Sequence, residues 1–277
     1  MDQITVAAVS CKNLIGQADE SISNMQNWCR LAADRGADLV LFPELNVSGY
    51  TPSGIVTNIA ESIPGRSTEK IIQLASEFKI IIAFGIIENQ DTKYFCSHVL
   101  VDANGVIGIQ RKIHVPVHEQ PYWDFGDKIN VFQLPQAKVG IAICRDAFFG
   151  EMTRTLYMRG AEIVLMPFGY YNVPRNKYLK ETIHGMSIVK ACWENGYYAI
   201  VCNSAGNRLP SEWEPKGRRF PGWAGVISPW GTVIEFTEEP GNSERMVVSI
   251  LEPEELIDRR EHPNFLAQEL RPDLYSL

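Results

Sequence analysis

Several features that would place the chain in a common class are missing from its sequence. No apolar run reaches the roughly 20 residues that a bilayer span requires. No cluster of basic residues offsets a formal net charge of −7. Because an acidic surface repels phosphate backbones and anionic lipid, the sequence predicts neither a nucleic-acid partner nor a membrane partner.

The N-terminus and the cysteines both favour a reducing compartment. The acidic second residue, Asp2, and the lack of a basic stretch argue against a signal peptide. None of the six cysteines forms a C-x-x-C pair, and scattered cysteines are mostly small buried hydrophobes. We expect a cytoplasmic protein in which one or two cysteines at most take part in chemistry.

Common cofactor and metal motifs are also absent. The sequence contains no H-E-x-x-H, G-x-G-x-x-G or P-loop motif. The five histidines lack ligand spacing with cysteine, and Pro116 excludes a helix that would place His114 and His118 on one face. The sequence therefore predicts no structural metal site.

The sequence does contain a regular alternation of buried strands and amphipathic helices, without a low-complexity linker. Apolar positions at helical spacing predict helices over 18–35 and 71–78. The predicted strands span 3–10, 38–43, 80–87, 94–101 and 106–113. This alternation predicts a single domain over 1–277 with an α/β fold and right-handed crossovers.

Two short internal repeats indicate that the domain has two similar halves. Residues 36–44 (GADLVLFPE) resemble residues 160–168 (GAEIVLMPF), and a hairpin turning at 102–105 has a counterpart turning at 228–231. Two stacked sheets with helices outside would bury such strands and leave their ends free for a ligand. The segment 252–277 is typical of a C-terminal tail that packs on another surface, such as a second subunit.

Three reactive residues each follow a predicted strand, where a side chain is held firmly yet faces a pocket. They are Glu44, Lys112 and Cys144. A thiol attacks a carbonyl carbon as thiolate, so Cys144 needs a base, and Glu44 is one. Lys112 would lower the thiol pKa and hold a tetrahedral oxyanion, with the backbone N–H of Arg145 as a second donor.

Each of these residues also has an ordinary interpretation when taken alone. A cysteine at a strand end is commonly packing, a lysine ending a hairpin is commonly a solvated charge, and a glutamate after proline commonly sits near a helix N-terminus. The combination carries more weight because the surrounding motifs resemble a known family.

The sequence resembles the nitrilase superfamily of carbon–nitrogen hydrolases over nearly its whole length. The resemblance lies in residues 41–50 (LFPELNVSGY), 111–116 (RKIHVP) with 125–127 (FGD), 139–146 (VGIAICRD), 194–196 (ENG), 228–231 (SPWG) and 271–275 (RPDLY). It implies a four-layer α-β-β-α sandwich with two stacked mixed β-sheets, commonly a homodimer. It also implies a Glu44–Lys112–Cys144 triad assisted by Glu119, with no cofactor and no metal.

Two stretches bear on which member of the family this is. Residues 145–150 (RDAFFG) depart from the Trp-Glu that commonly follows the nucleophile of true nitrilases, which puts the substrate in doubt but not the triad. Residues 192–195 (CWEN) spell that nitrilase motif. They end a predicted helix over 180–195, however, so we expect Cys192 to be a core residue.

Residues next to the motifs are candidates for the substrate pocket. The candidate wall residues are Tyr50, Tyr122, Phe148, Phe168, Tyr170 and Asn172, which are also plausible core residues. Arg145 or Arg175 would bind a substrate carboxylate, the alternative being a surface or interface ion pair.

The sequence thus supports cysteine-dependent hydrolysis of a small non-peptide amide or N-carbamoyl compound through a thioester. Nitrile hydrolysis and acyl transfer on the same triad remain alternatives. A non-catalytic interaction protein on this scaffold is the alternative outside enzymology.

Overall fold

The structure is a computed structural model that describes residues 1–171, 183–207, 219–237, 243–271 and 273–274. Two predicted site residues, Asn172 and Arg175, lie outside the described residues. In the described part of the chain, no helix is both long enough and apolar enough to cross a bilayer.

Most of the strands form two six-stranded mixed sheets. The first sheet has the order β14-β1-β2-β3-β4-β5. Its strands are β1 (Ile4–Ser10), β2 (Leu39–Leu41), β3 (Ile81–Gln90), β4 (Lys93–Asp102), β5 (Gly105–Arg111) and β14 (Arg245–Leu251). The second sheet has the order β13-β12-β9-β8-β7-β6. Its strands are β6 (Val131–Gln133), β7 (Lys138–Ile141), β8 (Ile163–Phe168), β9 (Tyr198–Asn203), β12 (Ala224–Ile227) and β13 (Val233–Thr237).

The remaining elements lie outside or between the sheets. The helices are α1 (Ala18–Ala33), α2 (Val56–Ile59), α3 (Arg66–Phe78), α4 (Gly150–Met158), α5 (Ile183–Asn195) and α6 (Pro253–Glu261). Short 3-10 helices span Cys144–Phe148 and Leu266–Glu269, and a two-stranded ribbon pairs β10 (Ala205–Asn207) with β11 (Arg219–Pro221).

Three layers of apolar side chains hold four layers of structure together. On β1, Val6 points into the core between the two sheets, whereas Ala7 points into a core shared with α1 and α3. A third core joins the second sheet to α4 and α5. Because the central strands are buried on both faces, their sequences are continuous apolar runs. The predicted α-β-β-α sandwich is confirmed.

The two sheets have the same strand pattern, which accounts for the internal repeats in the sequence. In the first sheet β1, β2 and β3 are parallel and β4 is antiparallel; in the second β7, β8 and β9 are parallel and β12 is antiparallel. The repeated segments 36–44 and 160–168 contain β2 and β8, the middle parallel strand of each sheet. The two halves are therefore related in topology as well as in sequence.

The C-terminal tail packs on its own chain. Leu256 and Phe265 are buried, and the Arg259 guanidinium lies about 5 Å from three aromatic rings. Arg259 donates to the backbone oxygen of Trp193 at 2.6 Å, which joins α6 to α5. Part of the tail thus completes the fold of the single chain. Its proposed role at a subunit interface stays a prediction.

Candidate active site

Three chain segments from both sheets meet at one end of the sandwich. Glu44 follows β2, Lys112 follows β5, and Cys144 opens the 3-10 helix that comes after β7. Glu44 and Lys112 are fully buried, and Cys144 is partly exposed. The sequence therefore placed these side chains correctly at strand ends. Pairing within the first sheet brings Glu44 and Lys112 together, and stacking of the second sheet adds Cys144.

A buried ammonium bridges two buried carboxylates. Lys112 Nζ donates to Glu44 Oε1 and to Glu119 Oε2, both at 2.7 Å. An ammonium has three donors, so these bonds leave one N–H of Lys112 for a further acceptor. The network has one positive and two negative charges when both carboxyls are ionised.

The other oxygens of both carboxylates are also held. Glu119 Oε1 accepts a hydrogen bond from the Tyr50 hydroxyl at 2.7 Å, and Glu44 Oε2 accepts one from the backbone N–H of Gly169 at 2.7 Å. A β-carbon at Gly169 would lie 2.8 Å from Glu44 Oε2. Glycine at this position therefore lets the backbone approach Glu44, which pins the orientation of its carboxylate.

The backbone at Cys144 has an unusual conformation. Its φ of +48° lies in the left-handed region, which is uncommon for a residue other than glycine. Such a conformation at a strand-to-helix turn is typical of strained functional residues. In the described part of the chain, the backbone N–H of Arg145 donates to no protein acceptor. That N–H is therefore available to a ligand next to the thiol.

The burial of this site shifts three ionisation equilibria. Burial raises the pKa of Glu44, and the effect outweighs the attraction of Lys112. Burial by itself would lower the pKa of Lys112, but Glu44 and Glu119 raise it well above its usual value. Burial and the charge of Glu44 hold the pKa of the Cys144 thiol well above its usual value.

One of these shifts corrects an expectation from the sequence. Lys112 does lower the pKa of the Cys144 thiol, as predicted, but burial and Glu44 raise it by more. A thiolate would add a second net negative charge to a water-poor site. The resting thiol is therefore protonated, and its proton must leave as the thiol attacks.

A cavity of about 360 Å³ opens above the thiol. Of the residues predicted to bind substrate, Tyr50, Arg145, Phe148 and Tyr170 line it. Further lining residues, which the sequence did not single out, are Pro116, Val117, His118, Gly169 and Tyr171. Glu119 and Cys144 form part of the same wall, so the cavity reaches the buried charge network.

Two other predicted wall residues lie away from this cavity. Phe168 is fully buried on the helix side of the second sheet, with its ring 5.7 Å from Phe148 and 5.0 Å from Trp223. Tyr122 packs at the margin of the core between the sheets. Phe168 therefore supports the cavity from behind, through Phe148.

Two residues that the sequence did not single out contact the reactive groups or their supports. The thiol of Cys96, on β4, donates to Glu44 Oε1 at 3.5 Å. The buried carboxylate of Asp146 accepts hydrogen bonds from the backbone of Ile113 and His114. The sequence could have identified Asp146, because it lies two residues after Cys144. It could not have identified Cys96, because the position of Cys96 follows from the pairing of β4 with β5.

The structure separates the two candidate nucleophiles. Cys192 lies in α5, is fully buried and packs in the core between the second sheet and its helices. Burial raises the pKa of its thiol strongly. The prediction that Cys192 is a core residue is confirmed.

The chain belongs to the carbon–nitrogen hydrolase family, whose model matches residues 5–251. It is therefore an enzyme of the class that hydrolyses non-peptide carbon–nitrogen bonds. Relatives include a nitrilase of Pyrococcus abyssi, 30% identical over 85% of this chain and 86% of the relative. An N-carbamoylputrescine amidase of Solanum lycopersicum is 26% identical over 99% and 94%. Omega-amidase NIT2 of Xenopus tropicalis is 28% identical over 92% and 91%.

Solved structures show the same fold. A carbon–nitrogen hydrolase of Helicobacter pylori G27 superposes with a TM-score of 0.88 at 20% identity, covering 99% of this chain and 97% of that chain. A mutant of an amidase of Nesterenkonia sp. AN1 superposes with a TM-score of 0.77 at 19% identity, covering 96% and 99%. In that mutant amidase, acrylamide has added to the active-site cysteine.

Proposed function

We propose that this protein is an amidase that hydrolyses a small non-peptide amide or N-carbamoyl compound through a thioester on Cys144. The observation that carries the proposal is the buried Glu44–Lys112–Glu119 network beside a partly exposed cysteine at the wall of a cavity. The reaction needs a nucleophile, a base and oxyanion donors. Cys144, Glu44 and Lys112 supply these groups.

Acylation begins with the protonated thiol. Cys144 Sγ attacks the carbonyl carbon while its proton passes to Glu44, so no free thiolate accumulates in the buried site. The raised pKa of Glu44 makes its carboxylate a stronger base than that of an exposed glutamate, which suits a group that accepts and then returns a proton. Glu44 next protonates the departing nitrogen, the C–N bond breaks, and ammonia or an amine leaves.

Two donors stabilise the negative charge that develops on the carbonyl oxygen. Lys112 has one N–H beyond those bound to Glu44 and Glu119, and the backbone N–H of Arg145 has no described acceptor. Removal of one oxyanion donor typically costs about 3 kcal/mol in the barrier. Glu119, held by Tyr50, keeps Lys112 in place and orients the leaving nitrogen.

Deacylation repeats the proton transfers with water. Glu44 takes a proton from a water molecule, the new C–O bond forms, the C–S bond breaks, and the thiol regains its proton. The acid leaves, or a carbamate that decomposes to an amine and carbon dioxide. No cofactor enters this cycle, which is ping-pong chemistry.

Nitrile hydrolysis is the second candidate, because a nitrilase is among the relatives. The stretch after Cys144 lacks the Trp-Glu of true nitrilases, which favours an amide. Acyl transfer would use an amine in place of water. We also expect a cytoplasmic homodimer.

The test is an ammonia-release screen over aliphatic amides, N-carbamoyl amino acids, N-carbamoyl amines and nitriles. Cys144→Ala and Cys192→Ala form a matched pair, since each removes one thiol from a stretch that resembles a nucleophile motif. We expect release by the parent and by Cys192→Ala alone. Equal release by Cys144→Ala would remove Cys144 from the mechanism.

A second measurement identifies the intermediate. Intact-mass spectrometry of the parent, acid-quenched during turnover, should detect an acyl adduct, which peptide mapping should place on Cys144. Dependence of the rate on an added amine would favour acyl transfer over hydrolysis.

A further inference from the structure

The charges around the cavity are unevenly distributed. Among the described lining residues, Glu119 is the sole carboxylate, and its two oxygens already bind Lys112 and Tyr50. The described wall therefore has no free carboxylate that would hold a cationic end of a substrate. Candidate substrates share the reacting carbonyl group and differ in the charge at their far end, so the charge of the cavity wall helps to select among them.

The Arg145 side chain supplies a cation in this wall. It follows Cys144 directly, is exposed and lines the cavity. The described residues provide no ion-pair or hydrogen-bond partner for its guanidinium. The nearest acid in sequence, Asp146, is buried and already accepts hydrogen bonds from Ile113 and His114.

The rest of the wall suits a short carbon chain. Phe148, Tyr170 and Val117 contribute apolar surface, and the volume of about 360 Å³ lies in the range of small-molecule sites. A guanidinium binds a carboxylate through two parallel N–H donors, with specificity that a hydrated ammonium lacks. The cavity therefore combines a nucleophile, an apolar wall and, within the described residues, an unpaired anion-binding group.

We propose that the substrate is a short amide whose far end carries a carboxylate, and that Arg145 binds this carboxylate. The inference rests on the proposed amidase function and narrows it: a monoamide of a dicarboxylic acid should be preferred to the amide of an ω-amino acid or the N-carbamoyl derivative of a diamine. Arg145 is then a specificity-determining residue through its side chain, apart from the role of its backbone N–H.

Three substrates that differ only at the far end test this inference. They are the monoamide of glutaric acid, pentanamide and 5-aminopentanamide. We expect kcat/KM of the parent for the acid amide to exceed that for pentanamide by roughly 10- to 100-fold, as a charge-assisted hydrogen-bond pair implies. 5-Aminopentanamide should be the poorest of the three.

The variants then separate the side chain of Arg145 from general effects. Arg145→Gln should remove most of the preference for the acid amide, chiefly through KM, Arg145→Lys should retain part of it, and Arg145→Glu should favour 5-aminopentanamide. Arg30→Gln, which changes an exposed arginine on α1, should leave the ratio as in the parent. A parent without the preference, or an Arg145→Gln variant that keeps it, overturns the inference.

A binding measurement keeps this result distinct from failure of the proposed reaction. Calorimetry of the glutaric monoamide with Cys144→Ala and with Cys144→Ala/Arg145→Gln requires no turnover. At least about 10-fold weaker binding by the double variant is expected, and equal affinity rejects the inference. Cys144-dependent turnover without charge preference would leave the amidase function standing and reject the role of Arg145.

Discussion

The Asp146 carboxylate clamps the backbone of His114. Its Oδ1 accepts hydrogen bonds from the backbone N–H of His114 at 2.7 Å and from the imidazole Nδ1 at 2.8 Å. The His114 ring also stacks on Phe149 with a centroid separation of 3.8 Å. Lys112 lies two residues before His114, and Cys144 lies two residues before Asp146. The contact between His114 and Asp146 therefore fixes the position of the ammonium relative to the thiol.

We predict that Asp146→Asn lowers kcat by roughly 10- to 100-fold with little change in KM, because small misplacements of reacting groups are costly. Asp146→Ala should lower kcat further, since asparagine keeps one acceptor oxygen. Steady-state kinetics beside thermal unfolding would measure this. Asp38→Asn is the control: Asp38 accepts from the backbone of Thr5 at 2.8 Å, remote from Cys144. Equal losses of kcat in both variants would contradict a positioning role.

Removal of the ammonium should destabilise the fold as well as the reaction. Lys112→Met would leave Glu44 and Glu119 buried together without a counter-charge, and breaking a buried pair should cost roughly 4 kcal/mol of unfolding free energy at pH 7. The loss should shrink as pH falls through the raised pKa of Glu44, because a neutral carboxyl needs no counter-charge.

Urea denaturation of Lys112→Met at pH 7 and pH 5 would measure both effects. Lys190→Met serves as the control, because Lys190 pairs with Glu194 on the exposed face of α5. That change should alter the unfolding free energy by about 0.5 kcal/mol or less. A Lys112→Met variant as stable as the parent at both pH values would show that the network does not contain two ionised carboxylates.

His98 should make the fold sensitive to acid. It lies on β4, is 1% exposed, and neither ring nitrogen has a hydrogen-bond partner in the described structure. Burial lowers its pKa from 6.5 to about 3. A depressed pKa contributes stability that is present above pH 6.5 and lost as pH falls toward 3, at about 1.4 kcal/mol per pH unit.

The variant His98→Leu should therefore lose less stability than the parent between pH 6.5 and pH 4, whatever its stability at neutral pH. Denaturant titrations at half-unit pH steps would give the two slopes. His262, which is half-buried just after α6, provides a control through His262→Leu. Parallel slopes for the parent and His98→Leu would mean that His98 is protonated or hydrated in the native state.

The Arg259 side chain should anchor the C-terminal tail. Its guanidinium contacts Trp193, Trp230 and Phe265 and donates to a backbone oxygen. Cation–π contacts and a charged hydrogen bond each contribute about 2 kcal/mol when buried. Burial also lowers the pKa of Arg259, so desolvation offsets part of that gain.

We expect Arg259→Ala to lower the unfolding free energy by about 2 kcal/mol and to expose the tail to limited proteolysis. Arg271→Ala, which removes an exposed arginine paired with Asp273, should change it by about 0.5 kcal/mol or less. Calorimetry and a timed protease digest would report the two effects. Equal protection of the tail in Arg259→Ala and the parent would show that other contacts hold it.

Several features of the fold were accessible from the sequence because they depend on local pattern. The hairpin predicted over 94–101 and 106–113 corresponds to β4 and β5, and the helix predicted over 18–35 corresponds to α1. The predicted helix over 71–78 begins earlier, at Arg66, because its first turn carries few apolar residues. Pattern also placed Glu44, Lys112 and Cys144 at strand ends.

Other features depended on which face of a buried strand a residue occupies. On β8, Leu165 faces the core between the sheets whereas Met166 and Phe168 face α4 and α5. Since both faces are apolar, the sequence shows no alternation that would reveal the direction of each side chain. The sequence therefore could not show that Phe168 lies behind the cavity wall and not in it.

The strands and helices of the first half, the similarity of the two halves and the candidate reactive residues could be predicted, because they follow from residue type and short-range spacing. The pairing order of the strands and the stacking of the two sheets could not. Pairing within the first sheet brings the ammonium of Lys112 within hydrogen-bond distance of Glu44 and gives Cys96 its contact with Glu44. Stacking of the second sheet adds Cys144, and burial raises the pKa of its thiol. Distances between segments far apart in the chain, and the exclusion of water from them, arise only on folding.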